Sequence, residues 1–210
     1  WCNPCYLIVM PIAINGSGSI TGLSVGGLPD GSVDADTLAS NAVTAGKLAS
    51  GVGGKFASYA VIADQKTSGT QSGNFVSGDW RTRDLNTELT DADGIVSISS
   101  NQFTLQAGTY LIKWVCPAYG RSYHQSRLRN ITDGSSSGGY GTCHYADYNS
   151  NVHNSSIGSQ RVTISGAKVY ELQHRCSQSI TNNDGFGTRV GNEFSTDYEM
   201  YAMCEIFKES

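Results

Sequence analysis

Proline, charge and long apolar runs are all scarce in this sequence. Only 4 of its 210 residues are proline, only 15% are charged, and the formal net charge is −4. A weakly acidic chain has no electrostatic reason to bind nucleic acid or anionic lipid. No segment reaches the roughly 20 apolar residues that a membrane-spanning helix needs. We therefore expect neither a nucleic-acid partner nor membrane insertion.

Catalytic and metal-binding motifs are lacking too. The four histidines, His124, His144, His153 and His174, show no His-x-x-x-His spacing, and neither a nucleophile elbow nor a phosphate loop occurs. Cys143 and His144 are adjacent, so on a strand they point to opposite faces, which does not suit a nucleophile and its base. We expect no enzyme, no metal and no cofactor, and we expect His174 in the core or a subunit interface.

Two fragments of binding motifs are incomplete. Cys2-Asn-Pro-Cys5 has the spacing of a redox or zinc half-site, but no second pair follows at a useful distance. Asp91-x-Asp93-Gly94 begins like a calcium loop but lacks the remaining ligands and the terminal glutamate. A turn is the better interpretation of the second fragment, and no function is assigned to the first.

The other cysteines are expected to be free. Cys116, Cys176 and Cys204 fall on the apolar side of strand patterns, where a thiol behaves as a small hydrophobic group. A domain of this size does not need disulfides for stability. Buried thiols, made in a reducing cytoplasm, are therefore predicted.

Glycine is abundant, with 25 residues, and short alternating segments separated by turn signals predict an all-β protein. The best-marked stretch is 101–119, where Phe103 and Leu105 share one strand face, as do Tyr110, Ile112, Trp114 and Cys116. We predict a hairpin here, turning at 106–108 and ended by Pro117. Further strands are predicted at 59–63, 80–85, 95–98, 125–131, 139–145, 160–165, 168–176 and 194–207.

The pattern Phe-x-Leu-x-Ala-Gly-x-Tyr-x-Ile of this stretch resembles the corresponding hairpin of complement-type and tumour-necrosis-factor-like jelly rolls. The longer run resembles a phage branch of that fold, found at the tips of tail fibres. Further matches lie at 127–134, 172–176, 184–187 and 205–209, so the resemblance covers most of residues 85–210. It implies an antiparallel jelly-roll sandwich of about ten strands, forming the head of a homotrimer.

The last strand supports association of subunits. Tyr198, Met200, Ala202, Cys204 and Ile206 alternate along one face, yet the other face is also apolar. A strand that is apolar on both sides is expected between its own core and a neighbouring subunit. We assign this part of the trimer interface to Tyr201, Met203 and Phe207.

Residues 32–57 are predicted to form a stalk and a glycine hinge before the head at 58–210. Residues 32–40 align with 42–50, so Val33 and Leu38 recur as Val43 and Leu48. Two such units cannot bury these side chains within one chain, although symmetry mates around an axis can cover them. The pattern resembles the trimeric decapeptide stalks of phage fibres. A flexible linker is the alternative.

Residues 1–31 are predicted to be an extended segment that attaches the fibre to another virion protein. The segment is rich in glycine and serine and cannot form its own core. The proteins that it resembles tend to begin near Met10, so residues 1–9 are either upstream sequence or a processed end. The apolar residues assigned to attachment are Ile12, Ile14, Ile20, Leu23 and Val25.

Polar, aromatic loops are the best candidates for receptor binding. Aromatic faces pack on the apolar patches of sugar rings, and amides pair with hydroxyl groups. Ordinary solvated loops of this composition are the alternative. The candidate residues are Arg121, Tyr123, His124, Tyr140, Tyr148, Asn149, Asn151 and His153.

These observations predict a non-enzymatic, homotrimeric phage tail-fibre protein. Such a protein is made in the cytoplasm of the bacterial host, resides in the virion, and binds a glycan or other receptor on the host surface through its head. Three copies of one site would raise avidity without any new contact. The alternatives are a capsid decoration or head-fibre protein and, less favoured, a polysaccharide depolymerase, because paired carboxylates leave no linear signature.

Overall fold

The computed structural model describes residues 42–44, 47, 54–120, 123–135, 139–145, 152–191, 193 and 197–210. The chain divides into two compact units, Trp1–Leu48 and Ala49–Ser210. In the first unit Val43 is exposed, and Lys47 closes a turn by donating its backbone N–H to the Thr44 carbonyl at 2.9 Å. The attachment residues between 12 and 25, and Val33, Leu38 and Leu48 of the predicted stalk, lie outside the described residues.

The described part of the second unit forms eleven strands. They are β1 (Phe56–Thr67), β2 (Arg81–Thr82), β3 (Thr87–Thr90), β4 (Val96–Ser99), β5 (Gln102–Leu105), β6 (Gly108–Tyr119), β7 (Tyr123–Asn130), β8 (His144–Tyr145), β9 (His153–Ile164), β10 (Lys168–Cys176) and β11 (Tyr198–Glu209). Within this described part, no helix is long and apolar enough to cross a membrane.

Two antiparallel sheets pack face to face, as the all-β jelly-roll prediction requires. Sheet I has the strand order β3-β1-β11-β6-β9, and sheet II has the order β4-β5-β10-β7-β8 with β2 beside β10. Their inner faces share one core, in which Ile112 and Ile206 of sheet I meet Phe103, Leu128 and Leu172 of sheet II. Burying such side chains stabilises each by roughly 1.5–3 kcal/mol relative to exposure.

The prediction that residues 101–119 form a hairpin is wrong, because the two strands do not pair with each other. The prediction of which side chains each strand buries is confirmed. Strand β5 pairs with β4 and β10 in sheet II, whereas β6 pairs with β11 and β9 in sheet I. The turn between them therefore passes from one sheet to the other. Phe103 and Leu105 face Tyr110 and Ile112 across the core, and all four are fully buried.

Pro117 does not end strand β6, contrary to the prediction. The strand continues to Tyr119, and Pro117 pairs with Ser155 of β9. The ladder with β11 ends earlier, at Val115 opposite Met203. On that side β6 has an open edge at Pro117, where a residue without a backbone N–H can be accommodated.

A β-bulge changes the faces of the last strand. Asp64 pairs with Ala202 and Gln65 with Met200, so Tyr201 is an extra residue in β11. Such an insertion reverses the alternation beyond it. Glu199 and Tyr201 consequently point inward, while Met200 and Tyr198 point outward. The prediction that Tyr198 and Met200 share the face of Cys204 is therefore wrong.

The same bulge removes Tyr201 from the predicted trimer surface. Its side chain is 3% exposed, and its hydroxyl donates to the Thr70 carbonyl at 2.6 Å. Met203 and Phe207 lie beyond the bulge on the outer face of sheet I. Met203 is 38% exposed, and Phe207 is partly exposed.

The remaining strand predictions differ mainly in length. The predicted strand 168–176 coincides with β10, and its inward residues Tyr170, Leu172, His174 and Cys176 are all buried. The predicted strand 80–85 shrinks to β2 (Arg81–Thr82). Strand β9 begins at His153, well before the predicted residue 160. The prediction that Cys116, Cys176 and Cys204 are buried is confirmed, and burial raises the pKa of Cys116 to about 11.

Candidate functional site

The outer face of sheet II carries polar and aromatic side chains in register. Gln125 and Arg127 of β7 pair with Arg175 and Gln173 of β10, and Tyr123 pairs with Tyr145 of β8. Residues that pair across an antiparallel ladder share a face, so these side chains point away from the core.

Tyr123 and Tyr145 form an exposed aromatic pair. Their ring centroids are 4.9 Å apart, and the two residues are 66% and 59% exposed. Because aromatic rings at this separation attract each other, the pair is held in place although water reaches both rings. The pair offers a preformed apolar surface with two hydroxyl groups at its rim.

Trp80 forms a second aromatic element near the first. The guanidinium carbon of Arg127 lies 4.1 Å from the centre of the Trp80 ring, and Arg127 Nε donates to Gln173 Oε1 at 2.7 Å. Tyr140 also lies near the indole, with its ring centroid 6.1 Å from that of Trp80. The cation–π contact and the hydrogen bond together fix the indole against sheet II.

Trp80 and Tyr123 border an open cleft of about 530 Å³. This volume lies within the range of about 300–1,000 Å³ that is usual for small-molecule sites. Below, "the cleft" means this space. The described residues that line it are Ser77, Gly78, Trp80, Tyr123, His124, Gln125, Cys143, His144, Arg175, Cys176 and Ser177.

The floor of the cleft rests on a buried hydrogen-bond chain. Arg83 is fully buried, and its Nη1 lies 3.4 Å from His174 Nδ1. His174 Nε2 lies 2.9 Å from His124 Nδ1, and His124 Nε2 bonds to Asn154 Oδ1. Asn154 Nδ2 in turn donates to the carbonyl of Tyr145 at 3.4 Å. The chain thus connects the core to one of the exposed tyrosines.

Arginine fixes the direction of every bond in this chain. A guanidinium can only donate, so His174 Nδ1 must accept, and its proton is therefore on Nε2. His174 Nε2–H then donates to His124 Nδ1, and His124 Nε2–H donates to Asn154 Oδ1. Each imidazole carries one proton, so the chain is complete only while both histidines are neutral.

Both histidine pKa values are displaced in the direction that this chain requires. Burial lowers the pKa of His174 well below its ordinary value, and the charge of Arg83 lowers it further. Burial also lowers the pKa of His124, although the bond to Asn154 opposes this shift and the nearby His144 and Arg83 add to it. Desolvation disfavours the charged imidazolium, and the guanidinium repels it.

We expect the stability of the fold to fall as the pH drops below about 6.5, the ordinary histidine pKa. Below this pH the histidines of the unfolded chain are protonated, whereas those of the folded chain stay neutral. Each buried histidine therefore lowers the free energy of unfolding by up to about 1.4 kcal/mol per pH unit until its lowered pKa is reached. Above pH 7 both states are neutral and the full stability is present. Urea denaturation between pH 7.5 and 5.5 measures this slope.

The variant His124→Gln isolates the contribution of His124 to this slope. Glutamine keeps an amide that can accept from His174 and donate to Asn154, but it does not titrate. Other titrating groups, including His153 and Asp64, contribute equally to both proteins. A wild-type slope no steeper than that of the variant would contradict a neutral, proton-ordered pair.

The structure places the eight predicted receptor residues in different environments. Tyr123 borders the cleft, and Tyr140 is 47% exposed beside Trp80. His124 is only 3% exposed, so the prediction of it as an exposed surface contact is corrected: it lies at the floor of the cleft. His153 packs on Tyr119, with ring centroids 4.8 Å apart. Arg121, Tyr148, Asn149 and Asn151 lie outside the described residues.

Sequence reasoning missed Trp80, Tyr145 and Arg175. Arg175 carried a usable signal, because it alternates with buried His174 and Cys176 and must point outward. Trp80 and Tyr145 carried no such signal in the sequence, because only folding brings these distant residues together.

Among the described residues, no group of three or more metal-ligating side chains occurs. Asp91, the start of the suspected calcium loop, accepts from the N–H groups of Ile95 and Val96 at 2.9 Å and stabilises a turn, as predicted.

The outer face of sheet I is a second surface of interest. Three cross-strand rows define it: Ala63, Met203, Val115 and Ile157; Val61, Glu205, Lys113 and Ser159; and Tyr59, Phe207, Leu111 and Arg161. Tyr59 and Ile157 are 40% and 54% exposed. The charges in the central row balance, because Lys113 Nζ lies 3.7 Å from Glu205 Oε2. This face is therefore largely apolar and locally neutral.

No family model matches this sequence, and no curated relative was found. Among solved structures, the fold is similar to the globular domain of a zebrafish complement 1qA protein, with 16% sequence identity, 71% of this chain and 95% of that chain covered, and a TM-score of 0.42. It is also similar to murine APRIL crystallised at pH 8.0, with 8% identity, coverages of 72% and 98%, and a TM-score of 0.41.

Proposed function

We propose that this chain is a phage tail-fibre protein whose homotrimeric head binds a glycan on the host surface. The observation that carries the binding role is the cleft, which is lined by Tyr123, one ring of the exposed Tyr123–Tyr145 pair, beside polar groups. Sugars offer apolar ring faces and a rim of hydroxyl groups. Gln125, Ser77 and Ser177 supply donors and acceptors at the same cleft.

The outer face of sheet I supports the proposed trimer. Large apolar side chains exposed on one face mark a surface that association would cover. Phe207 packs against Phe56 and Tyr59, with ring centroids 5.2 and 4.8 Å apart, and so forms a preformed aromatic cluster for a partner copy. The neutral Lys113–Glu205 pair allows identical faces to approach without repulsion.

In the proposed trimer, the cleft on sheet II would remain accessible to a ligand. The two sheets are the opposite sides of one sandwich, so turning sheet I towards partner copies turns sheet II towards solvent. Three clefts on one head would then engage a polymeric surface together, and weak individual contacts would gain avidity. On this proposal residues 1–31 attach the fibre to another virion protein and residues 32–57 form its stalk.

Replacing Tyr123 with alanine is expected to weaken glycan binding at least tenfold. The change removes one ring of the aromatic pair, and with it an aromatic contact worth about 0.5–1.5 kcal/mol beyond the apolar area that the ring buries against the ligand. The measurement is binding of the purified full-length protein to immobilised oligosaccharides from bacterial surface polysaccharides. The unfolding temperature should stay unchanged, because the side chain is exposed.

Ile131→Ala is the matched control. Ile131 is 36% exposed and follows the opposite end of β7, so its loss should leave binding intact. Equal weakening by both substitutions would argue against the cleft as the binding site. A purified trimer that binds no saccharide and no bacterial cell, and that fails to block phage adsorption, would refute the proposed function.

A further inference from the structure

The charges around the cleft are unlike those of the rest of the chain. The protein as a whole is acidic, with a formal charge of −4, yet no aspartate or glutamate is among the described residues that line the cleft. Arg175 is there instead. Asp79 lies in the sequence between the lining residues Gly78 and Trp80, and its Oδ1 accepts from the Trp80 N–H at 2.7 Å.

Arg175, like Arg129, has no hydrogen-bond or ion-pair partner among the residues that the structure describes, whereas several other arginines of the fold are paired. Arg161 forms a two-pronged pair with Glu209, and Arg127 is held by Gln173 and Trp80. Arg81 donates to the carbonyls of Val76 and Ser77. Arg175 is exposed and makes no hydrogen bond or ion pair with any residue that the structure describes. Its guanidinium is therefore available to a ligand.

The position of Arg175 suits a ligand that also stacks on the tyrosines. Arg175 pairs with Gln125 across the β7–β10 ladder, and Tyr123 is two residues further along the same face of β7. Diagonal neighbours on a sheet are within reach of long side chains. A guanidinium fork matches the geometry of a carboxylate or phosphate and donates to it through two parallel bonds.

We propose that the cleft binds an anionic saccharide, with Arg175 holding the anion while Tyr123 and Tyr145 pack against the sugar ring. This inference rests on the proposed glycan-binding function and narrows its ligand class. The anion is a carboxylate of an acidic sugar or a phosphate substituent, since both present the same pair of oxygens to the guanidinium. A neutral sugar leaves Arg175 unpaired and binds less tightly.

The test compares three forms of one oligosaccharide: a form with a uronic-acid carboxylate, the same form with its carboxyl reduced to an alcohol, and a phosphate-substituted form. Calorimetry with the purified full-length protein should show at least about tenfold tighter binding of one anionic form than of the reduced form, weakening as salt is added. Which anionic form binds identifies the source of the charge. Arg175→Gln should abolish the preference for the anionic form.

Arg129→Gln is the matched control for charge. Arg129 lies on the same outward face of β7, four residues from Gln125 and thus about 13 Å along the strand. It should keep the preference for the anion. Equal affinities for anionic and reduced forms, or equal losses in both variants, overturn the inference while glycan binding stands. Absence of binding to every form overturns the inference and the proposed function together.

Discussion

Gly158→Ala is expected to destabilise the fold by about 3 kcal/mol or more, because it would overpack a closely filled core. Gly158 pairs directly with Trp114, and the indole lies over the glycine. A Cβ at position 158 would lie 1.9 Å from Trp114 Cζ2 and 2.1 Å from Cε2. No neighbouring atom pair tolerates such distances, so the ring or the strand must move. Urea denaturation measures the loss.

The indole has little freedom to move. Trp114 is 1% exposed, and its Nε1 donates to Ser126 Oγ on the opposite sheet at 2.8 Å. Ser126 Oγ donates in turn to Ser156 Oγ, which donates to the Thr142 carbonyl at 2.7 Å. Displacing the ring would leave buried polar groups without partners, at a cost of about 1–3 kcal/mol each. The two sheets are joined through this ring.

Gly166→Ala is the control, because no atom lies within 4 Å of its added Cβ. We expect a change of less than about 0.5 kcal/mol there. Trp114→Phe should recover part of the loss when it is combined with Gly158→Ala, since the smaller ring vacates the position of the clash. A Gly158→Ala protein as stable as the Gly166→Ala protein would show that the indole does not lie over this glycine.

The sequence was sufficient to predict which residues are buried wherever alternation is regular. Phe103, Leu105, Ile112 and Leu172 all lie in the core as predicted. Alternation does not reveal which strands hydrogen-bond to each other. Two strands joined by a short turn can pair or can cross between sheets, and the same residues are buried in either case. The crossing of β5 to β6 therefore required the structure.

A single inserted residue changes which side chains are predicted to lie on the surface, whereas an error in strand pairing does not. The bulge at Tyr201 reverses which side chains point inward and which point outward at the start of β11, and no residue type in the sequence marks it.

The cleft could not be predicted from the sequence for another reason. Trp80, Tyr123 and Arg175 line it, and Tyr145 packs on Tyr123. These four residues come from separate segments, so no linear spacing brings them together. Only the predicted role of Tyr123 could be reached from composition alone.

Met203→Glu is expected to convert the proposed trimer into monomers. Met203 is 38% exposed on the outer face of sheet I, beside Val115, so a carboxylate there does not disturb the isolated sandwich. In a trimer the same carboxylate would lie near its symmetry mates in an apolar interface. Burying an unpaired charge costs several kcal/mol, and three copies would pay it together. Light scattering coupled to size-exclusion chromatography measures the mass.

Ile131→Glu is the matched control, because Ile131 is similarly exposed but follows a strand of sheet II. It should remain trimeric, with the melting temperature of the wild type. If the stalk alone holds the chains together, Met203→Glu keeps the trimer mass but lowers the melting temperature of the head, since the heads separate. A Met203→Glu protein with both wild-type mass and wild-type melting temperature would exclude this face as the interface. A wild-type chain that is a stable monomer at working concentration would remove the trimer itself, and with it the multivalent binding on which the fibre proposal depends.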